Sequence, residues 1–196
     1  GLVYHMNAKA YLIKAGSDLS VGAATMISTG CLLAAWLVYD GLCKSPLKKM
    51  PVVFAAVGFA LMTAAAYGLH QIFSPRAAYI HVGAMIGTCM VANVYFVIIP
   101  GQRAMVEATE KGEEPDVSKG EAGSFRSLHN NYLTLPVLFI MISSHYPMTY
   151  GHSANWAILA ALALISAAVR HWFNLRGQGH KNVWILPMAA LAGLSL

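Results

Sequence analysis

Long apolar stretches, broken by short polar segments, run through most of the chain. Five of them are long enough to cross a bilayer, which takes about 20 residues of helix. Backbone N–H and C=O groups inside a bilayer must bond within the protein, so each stretch is predicted to be helical. The five predicted spans are Val21–Tyr39, Pro51–Phe73, Ala77–Ile99, Leu128–Tyr146 and Ala154–Leu175.

A sixth apolar stretch begins near Val183 and reaches the last residue, Leu196. It is shorter than the other five, so we expect a truncated sixth span. The chain opens on Gly1 and lacks the residue pattern of a signal peptide. The sequence therefore predicts an all-α polytopic transmembrane helical bundle over residues 1–196, which we expect to be a fragment cut at both ends.

The one long polar segment covers residues 101–123 and is rich in acidic side chains. We interpret it as a solvated loop with at most one helical turn, since Glu107 and Lys111 form an i,i+4 pair. A functional acidic patch is the alternative interpretation of this segment.

Composition excludes an ordinary soluble domain. Hydrophobic residues make up 57% of the chain and charged residues 11%, whereas soluble domains carry roughly 25% charged residues. Such a chain has more apolar surface than one water-soluble core of this size could bury, and a bilayer provides the place for it.

Basic residues are distributed unevenly between the two ends of the predicted spans. Ten of the thirteen Lys and Arg residues flank one side, namely Lys44, Lys48, Lys49, Arg103, Lys111, Lys119, Arg126, Arg170, Arg176 and Lys181. The positive-inside rule makes that side cytoplasmic, so residues 101–123 form a predicted cytoplasmic loop and residues 147–153 face outward. Because the basic residues lie between apolar runs, the net charge of +5 indicates membrane orientation rather than nucleic-acid binding.

The three cysteines, Cys31, Cys43 and Cys89, show no CxxC or CxxCH spacing. These residues therefore encode neither a zinc knuckle nor a covalent c-type haem. Cys31 and Cys89 lie inside apolar runs, where cysteine usually acts as a small hydrophobic residue.

Histidines form an outer layer of polar residues at membrane depth. His70 lies near the end of the second span, His81 one turn into the third, and His145 at the end of the fourth. Neutral imidazoles on facing helices are suited to binding a b-type haem or a metal. The alternative is that each imidazole bonds a neighbouring helix or interfacial water.

A second, inner layer lies near the other ends of the spans. It contains Arg126, His129, Asn130, Asn131, Arg170, His171 and Asn174. Arginine forks and asparagine amides suit a planar anion that carries many donors and acceptors. The alternative is anchoring of helix ends, with arginines reaching the headgroups and asparagines capping helices.

Two further features concern helix packing. Gly83 and Gly87 form a GxxxG pattern, which lets another helix approach closely. Pro136 removes a backbone donor and is expected to kink the fourth span.

Two long runs resemble the membrane domain of the bacterial membrane-bound urate hydroxylases. They are HVGAMIGTCMVANVYFVIIPGQRAMV at residues 81–106 and SLHNNYLTLPVLFIMISSHYPMTYGH at residues 127–152. The shorter runs WLVYDGLCKSPL (residues 36–47) and RHWFNLRGQG (residues 170–179) are similar as well. The resemblance covers nearly the whole chain.

This resemblance implies oxidation of urate to 5-hydroxyisourate in a bacterial inner membrane. It also implies a C-terminal periplasmic cytochrome c domain that accepts the electrons, with haem c only in that domain. The expected partners are the lipid bilayer, urate, and that domain or a soluble cytochrome c. This chain contains neither that domain nor the first spans of the family pattern, so we expect it to be inactive alone.

The candidate site residues are physical hypotheses at positions within the resembling runs and the outer layer. The candidate catalytic residues are His129, Asn130 and Asn131. The candidate urate-binding residues are Arg126, Arg170 and His171. The candidate cofactor-binding residues, for haem b, are His70, His81 and His145. No metal site is assigned.

Two other functions fit the same sequence. One is a non-catalytic electron-transfer or accessory subunit that carries haem b between histidine pairs. The other is a urate or purine permease, which would need helices broken at mid-membrane, and Pro136 is the one hint of such a break.

Overall fold

The computed structural model describes residues 2–180 and 182–195. It is 83% helical, and the described residues contain no strand. The helices are α1 (Leu2–Met6), α2 (Ala8–Tyr11), α3 (Val21–Lys44), α4 (Pro51–Ile72), α5 (Pro75–Asn93), α6 (Ile99–Glu110), α7 (Val117–Ile142), α8 (Pro147–Tyr150), α9 (Asn155–Gly177) and α10 (Ile185–Leu194). A π-helical segment, Val94–Ile98, joins α5 to α6 without a break.

Helices of membrane-spanning length form the body of the molecule. Four are long and apolar enough to cross a membrane: α3, α4, the continuous helix Pro75–Glu110, and α9. Helix α7 has 26 residues and packs against both α5 and α9, but its first turns are polar. The predicted polytopic helical bundle is thus confirmed, with α7 as its fifth long helix.

Serine and proline mark where the helices begin. The Ser20 hydroxyl accepts a hydrogen bond from the Ala23 N–H at the start of α3, and Ser74 does the same for Ala77 in α5. Helices α4 and α5 each begin on a proline, whose fixed φ and missing donor suit the first helical position. These breaks lie where the sequence predicts them.

The polar segment at residues 101–123 differs from the predicted loop. It is largely helical: α6 continues to Glu110, α7 begins at Val117, and residues 111–116 make the turn between them. Close approach of the two helices explains the difference, since a Cβ on Gly101 would lie 3.0 Å from the Lys119 carbonyl oxygen. The acidic side chains remain exposed on this helical hairpin.

Helix geometry is unusual at two places. Helix α7 continues through Pro136, which is buried, so the proline does not end the helix, and the expected kink stays a prediction. The third span contains the π-helical segment Val94–Ile98, directly after the fully buried Asn93. Single-turn π segments are frequent at functional sites, and nothing in the sequence marks this one.

The two ends of the bundle are chemically different. Short connections make consecutive long helices antiparallel, so residues 45–50 and 111–116 lie at one end, here called the inner end. The other, outer end carries residues 73–74 and 143–154. On α3, Asp40 lies near the inner end and Ser28 lies towards the outer end. The twelve residues between them correspond to about 18 Å along the helix.

The outer end holds the apolar core. Phe73 and Tyr79 are almost fully buried there, and the Tyr79 hydroxyl donates to the Asn155 carbonyl at 2.8 Å. The N-terminal segment covers this end: Leu12 is 1% exposed, and the Ser74 hydroxyl donates to the Tyr11 carbonyl at 2.6 Å.

The GxxxG pattern contributes one close contact rather than two. A Cβ on Gly83 would lie 2.6 Å from Ile140 Cγ2 on α7, whereas a Cβ on Gly87 would meet nothing within 4 Å. Gly83 alone therefore lets α5 and α7 approach closely.

We predict that Gly83→Ala lowers the free energy of unfolding by about 1–3 kcal/mol, because the added methyl overpacks the contact with Ile140. Gly87→Ala is the matched control and should change the stability by less than about 0.5 kcal/mol. Unfolding by titration with a denaturing detergent measures both variants. Equal effects of the two substitutions would contradict the asymmetric contact.

We predict that the inner end is cytoplasmic, because it carries most of the basic residues. Glu114→Cys and Ser153→Cys place thiols at exposed positions of opposite ends, in a background where Cys31, Cys43 and Cys89 are replaced by alanine. An impermeant maleimide added outside intact cells should label position 153 and leave position 114 unlabelled until lysis. The reverse pattern would overturn the orientation.

Candidate functional site

A buried arginine lies at the inner end of the bundle. Arg126 on α7 is 4% exposed, and its Nη2 donates to Asp40 Oδ1 on α3 at 2.7 Å. Asp40 Oδ2 accepts from Lys44 at 2.6 Å. The side chain of Asp40 is 17% exposed and that of Lys44 is 73% exposed, so the carboxylate links a buried cation to a surface one.

Aromatic rings and an amide complete the surroundings of the guanidinium. Its Cζ lies 5.5 Å from the Trp36 ring centroid and 5.2 Å from that of Tyr39. Nη1 donates to Asn93 Oδ1 at 2.9 Å. The ion pair, the amide and two π faces thus compensate for the loss of hydration of the charge.

Asn93 extends these contacts across the bundle. Its Nδ2 lies 3.2 Å from the Tyr39 hydroxyl and 2.8 Å from Asn130 Oδ1. Asn130 Nδ2 in turn donates to the Met90 carbonyl at 3.0 Å. Asn93 is fully buried, so every polar group of its side chain is satisfied by protein.

His129 lies at the end of this chain of contacts. Its Nδ1 is 2.8 Å from the Tyr39 hydroxyl. Its ring stacks on Phe54 at 4.7 Å between centroids and meets Phe125 edge-on at 4.3 Å. Together these residues form what we call the Arg126 cluster: Trp36, Tyr39, Asp40, Asn93, Arg126, His129 and Asn130.

A second group, the Asn131 cluster, faces α9. Arg170 Nε and Asn174 Nδ2 both donate to Asn131 Oδ1 at 2.9 Å. These three residues are half-buried. Nearby on the same two helices, the Tyr132 hydroxyl lies 2.6 Å from Nδ1 of the exposed His171.

The predicted inner layer is therefore divided between faces of α7. Arg126, His129 and Asn130 share one cluster, while Asn131 and Arg170 form the other and His171 pairs separately with Tyr132. Sequence reasoning missed Tyr39, Asp40 and Asn93. The sequence did contain a signal for Asp40 and Asn93, since an acid at the end of one apolar span and an amide inside another are costly without a partner.

The outer histidine His81 has both ring nitrogens engaged. Its Nε2 lies 3.0 Å from the Ser28 carbonyl oxygen and its Nδ1 lies 3.4 Å from the Ser28 hydroxyl. The same hydroxyl lies 2.8 Å from His5 Nε2. His81 would have to give up a bond to Ser28 in order to bind a haem iron.

The other outer histidines occupy different surroundings. His70 Nδ1 is the single buried side-chain nitrogen or oxygen without a partner in the part of the chain described. His145 lies in the turn Ser143–His145 and is exposed. Across residues 2–180 and 182–195, no three His, Cys, Asp or Glu side chains come together as a possible metal site.

A surface cavity of about 370 Å³ opens beyond the end of α9. It is lined by Trp172, Arg176, Gly179, His180, Asn182 and Val183. Arg176 lies over the Trp172 ring at 5.2 Å. None of these residues belongs to the Arg126 cluster.

We predict that Asp40→Asn lowers the free energy of unfolding by about 3 kcal/mol, because it leaves the buried Arg126 cation without its counter-charge. Lys44→Met removes the exposed partner of the same carboxylate and should cost less than about 1 kcal/mol. The double variant Asp40→Asn/Arg126→Met should recover most of the loss. Chemical unfolding in detergent micelles provides the measurement, and equal losses for Asp40→Asn and Lys44→Met would refute the argument.

Comparison with known proteins assigns the chain to a family. The family model described as "Urate oxidase N-terminal" matches residues 1–196, the full length of the chain. No curated protein and no solved structure matches it. The match agrees with the resemblance carried by the runs at residues 81–106 and 127–152, and it connects the chain with a urate-related function. This bundle of membrane-spanning helices, with its polar clusters at the inner end, belongs to the urate oxidase N-terminal family.

Proposed function

We propose that this chain is the membrane domain of an enzyme that oxidises urate to 5-hydroxyisourate and transfers the electrons to a c-type cytochrome. Membership of the urate oxidase N-terminal family is the observation that carries the proposal. The two polar clusters at the inner end support it, because polar side chains at membrane depth are costly and mark functional sites.

The reaction sets three chemical requirements. Urate is a planar monoanion at neutral pH, and its conversion to 5-hydroxyisourate adds one water and releases one proton and two electrons. The site therefore needs cationic and amide donors for the anion, a group that handles the proton, and an electron acceptor. A c-type haem accepts one electron at a time, so two transfers complete each turnover.

Residues of the inner end carry the functional groups for the first two requirements, on two different faces of α7. Arg170 and Asn131 are half-buried and His171 is exposed, so their polar atoms can be reached by an anion that enters from the inner end. We assign His129 as the proton-handling group, since histidine is the side chain that most often transfers protons in enzymes. Arg126 supports the site indirectly, because Asp40 and Asn93 already occupy its guanidinium.

The contacts of the described residues favour this function over the two alternatives. A subunit that carries haem b between histidine pairs needs two axial histidines, but His81 is bonded to Ser28 and His145 is exposed, which leaves His70 alone among the three outer histidines. A permease of the broken-helix type needs spans interrupted at mid-membrane, but α7 runs through Pro136 and the third span runs through its π-helical segment.

The proposed setting is a bacterial inner membrane, with the inner end in the cytoplasm. The proposed partners are urate and a cytochrome c, either as a further domain or as a soluble protein. The outer end is the side on which a periplasmic cytochrome would accept electrons.

We predict that His129→Gln, in membranes of the source cell, lowers the rate of urate consumption by about 100-fold or more, because a proton-transfer group is lost.

Arg170→Gln should lower kcat/KM by about tenfold, the effect of removing one charged hydrogen bond to an anion. Urate loss, 5-hydroxyisourate formation and reduction of c-type haem are followed together, and rates are divided by the amount of folded protein.

Arg103→Gln is the matched control, since Arg103 is an exposed arginine on α6 outside both clusters. It should leave the rate unchanged. Urate uptake without oxidation would favour a permease, and a b-type haem spectrum without any effect of urate would favour an electron-transfer subunit. Either result would refute the proposed reaction.

A further inference from the structure

We infer that Tyr39 is a positioning residue that fixes the tautomer of His129, so that His129 presents an N–H at Nε2 and keeps its lone pair at Nδ1. The inference rests on the proposed function for its catalytic meaning. Its structural part depends only on the direction of the hydrogen bonds in the Arg126 cluster.

The direction of the hydrogen bonds in the cluster is set by Arg126, a side chain that can only donate. The Arg126 guanidinium has no acceptor, so the Asn93 atom that it meets at 2.9 Å must be the carbonyl oxygen Oδ1. The amide NH₂ of Asn93 therefore points the other way. It donates to the Tyr39 hydroxyl at 3.2 Å and to Asn130 Oδ1 at 2.8 Å.

The orientation of Asn130 agrees independently. Its second amide atom lies 3.0 Å from the Met90 carbonyl, which can only accept. That atom must be the amide nitrogen, so Oδ1 faces Asn93 and requires a donor there. Two fixed groups, the Arg126 cation and the Met90 carbonyl, thus give the same orientation for both amides.

The Tyr39 hydroxyl transmits this direction to His129. The hydroxyl accepts from Asn93, and its remaining polar neighbours are the Cys43 thiol and His129 Nδ1. An imidazole nitrogen is a stronger acceptor than a thiol sulfur, so the Tyr39 proton is directed to His129 Nδ1 at 2.8 Å. Nδ1 must then be the unprotonated nitrogen of the neutral ring, and Nε2 carries the hydrogen. Stacking on Phe54 and an edge-on contact with Phe125 hold the ring in place.

This arrangement determines what His129 can offer a substrate. Nε2–H is a donor suited to an anion such as urate, whereas the basic lone pair on Nδ1 is reached through the Tyr39 hydroxyl. When water adds to the oxidised purine, a water proton passes to the Tyr39 oxygen while the Tyr39 proton passes to His129 Nδ1. One O–H bond of water breaks and a C–O bond forms at a purine carbon, while the π bond between that carbon and its ring nitrogen breaks and its electron pair moves to the nitrogen. His129 becomes imidazolium, and both electrons have gone to the cytochrome before this step.

Asn93→Asp provides a directional test, because it replaces the donor to Tyr39 with an acceptor. Tyr39 should then donate to the new carboxylate, and His129 Nδ1 should become the donor to the Tyr39 oxygen. Nitrogen-15 NMR of histidine-labelled protein in lipid distinguishes the two tautomers, and His129→Gln identifies the signal among the eight histidines. We expect Nε2–H in the native protein and Nδ1–H in Asn93→Asp.

Tyr39→Phe keeps the inference testable if Asn93→Asp does not fold. It should shift the Nδ1 signal to that of a nitrogen without a hydrogen bond. Tyr95→Phe, at a tyrosine that is 68% exposed and outside the cluster, should leave the signal unchanged. Native His129 with Nδ1–H, or an unchanged tautomer in folded Asn93→Asp, would overturn the inference.

The activity readout is separate from the tautomer readout. In membranes, Asn93→Asp should lower kcat for urate by about 100-fold, because a lone pair replaces the donor aimed at the anion. The predicted tautomers without any urate oxidation by the native protein would refute the proposed function and leave the hydrogen-bond assignment standing. Normal kcat in a variant with a flipped tautomer would refute the catalytic part of the inference.

Discussion

The interaction on which the inner end depends is the ion pair between Arg126 and Asp40. A guanidinium that is 4% exposed inside a helical bundle is tolerable only with a counter-charge and further polar or aromatic partners. Asp40 supplies the charge, Asn93 accepts a second bond, and two aromatic rings cover the faces. These contacts of Arg126 connect α3, α5 and α7 at the same depth in the bundle. They also orient the side-chain amides of Asn93 and Asn130, next to His129.

Close packing of neighbouring helices holds α5, α6 and α7 in place on either side of the Arg126 cluster. Gly83 brings α5 against Ile140 of α7 towards the outer end, and Gly101 brings α6 against Lys119 near the inner end. Between these two contacts lies the π-helical segment Val94–Ile98, directly after Asn93. This segment packs against α7, so the backbone irregularity and the polar cluster lie next to each other.

The outer end is built on a different principle. Its apolar core includes Phe73 and Tyr79, and its buried histidine, His81, is bonded to Ser28 on α3. Such contacts hold helices together and leave few polar atoms available to a ligand. The inner end combines half-buried donors with an ordered hydrogen-bond chain, and this contrast is the reason why we propose the urate site there.

The sequence by itself determined the class of fold, because apolar stretches of spanning length, bounded by Ser-Pro and Gly breaks, allow little besides a helical membrane bundle. It also determined the family, through runs such as residues 127–152, and it singled out Arg126, His129 and Asn130 as costly polar residues. The helical hairpin in place of a loop at residues 101–123 depended on glycine contacts between two helices, which local propensity does not encode. The partners Tyr39, Asp40 and Asn93 came only from the tertiary structure, since α3 and α5 meet α7 across long sequence separations. The free-energy cost of burying the Arg126 charge depends on the side chains that surround it, and only the folded chain determines which side chains those are.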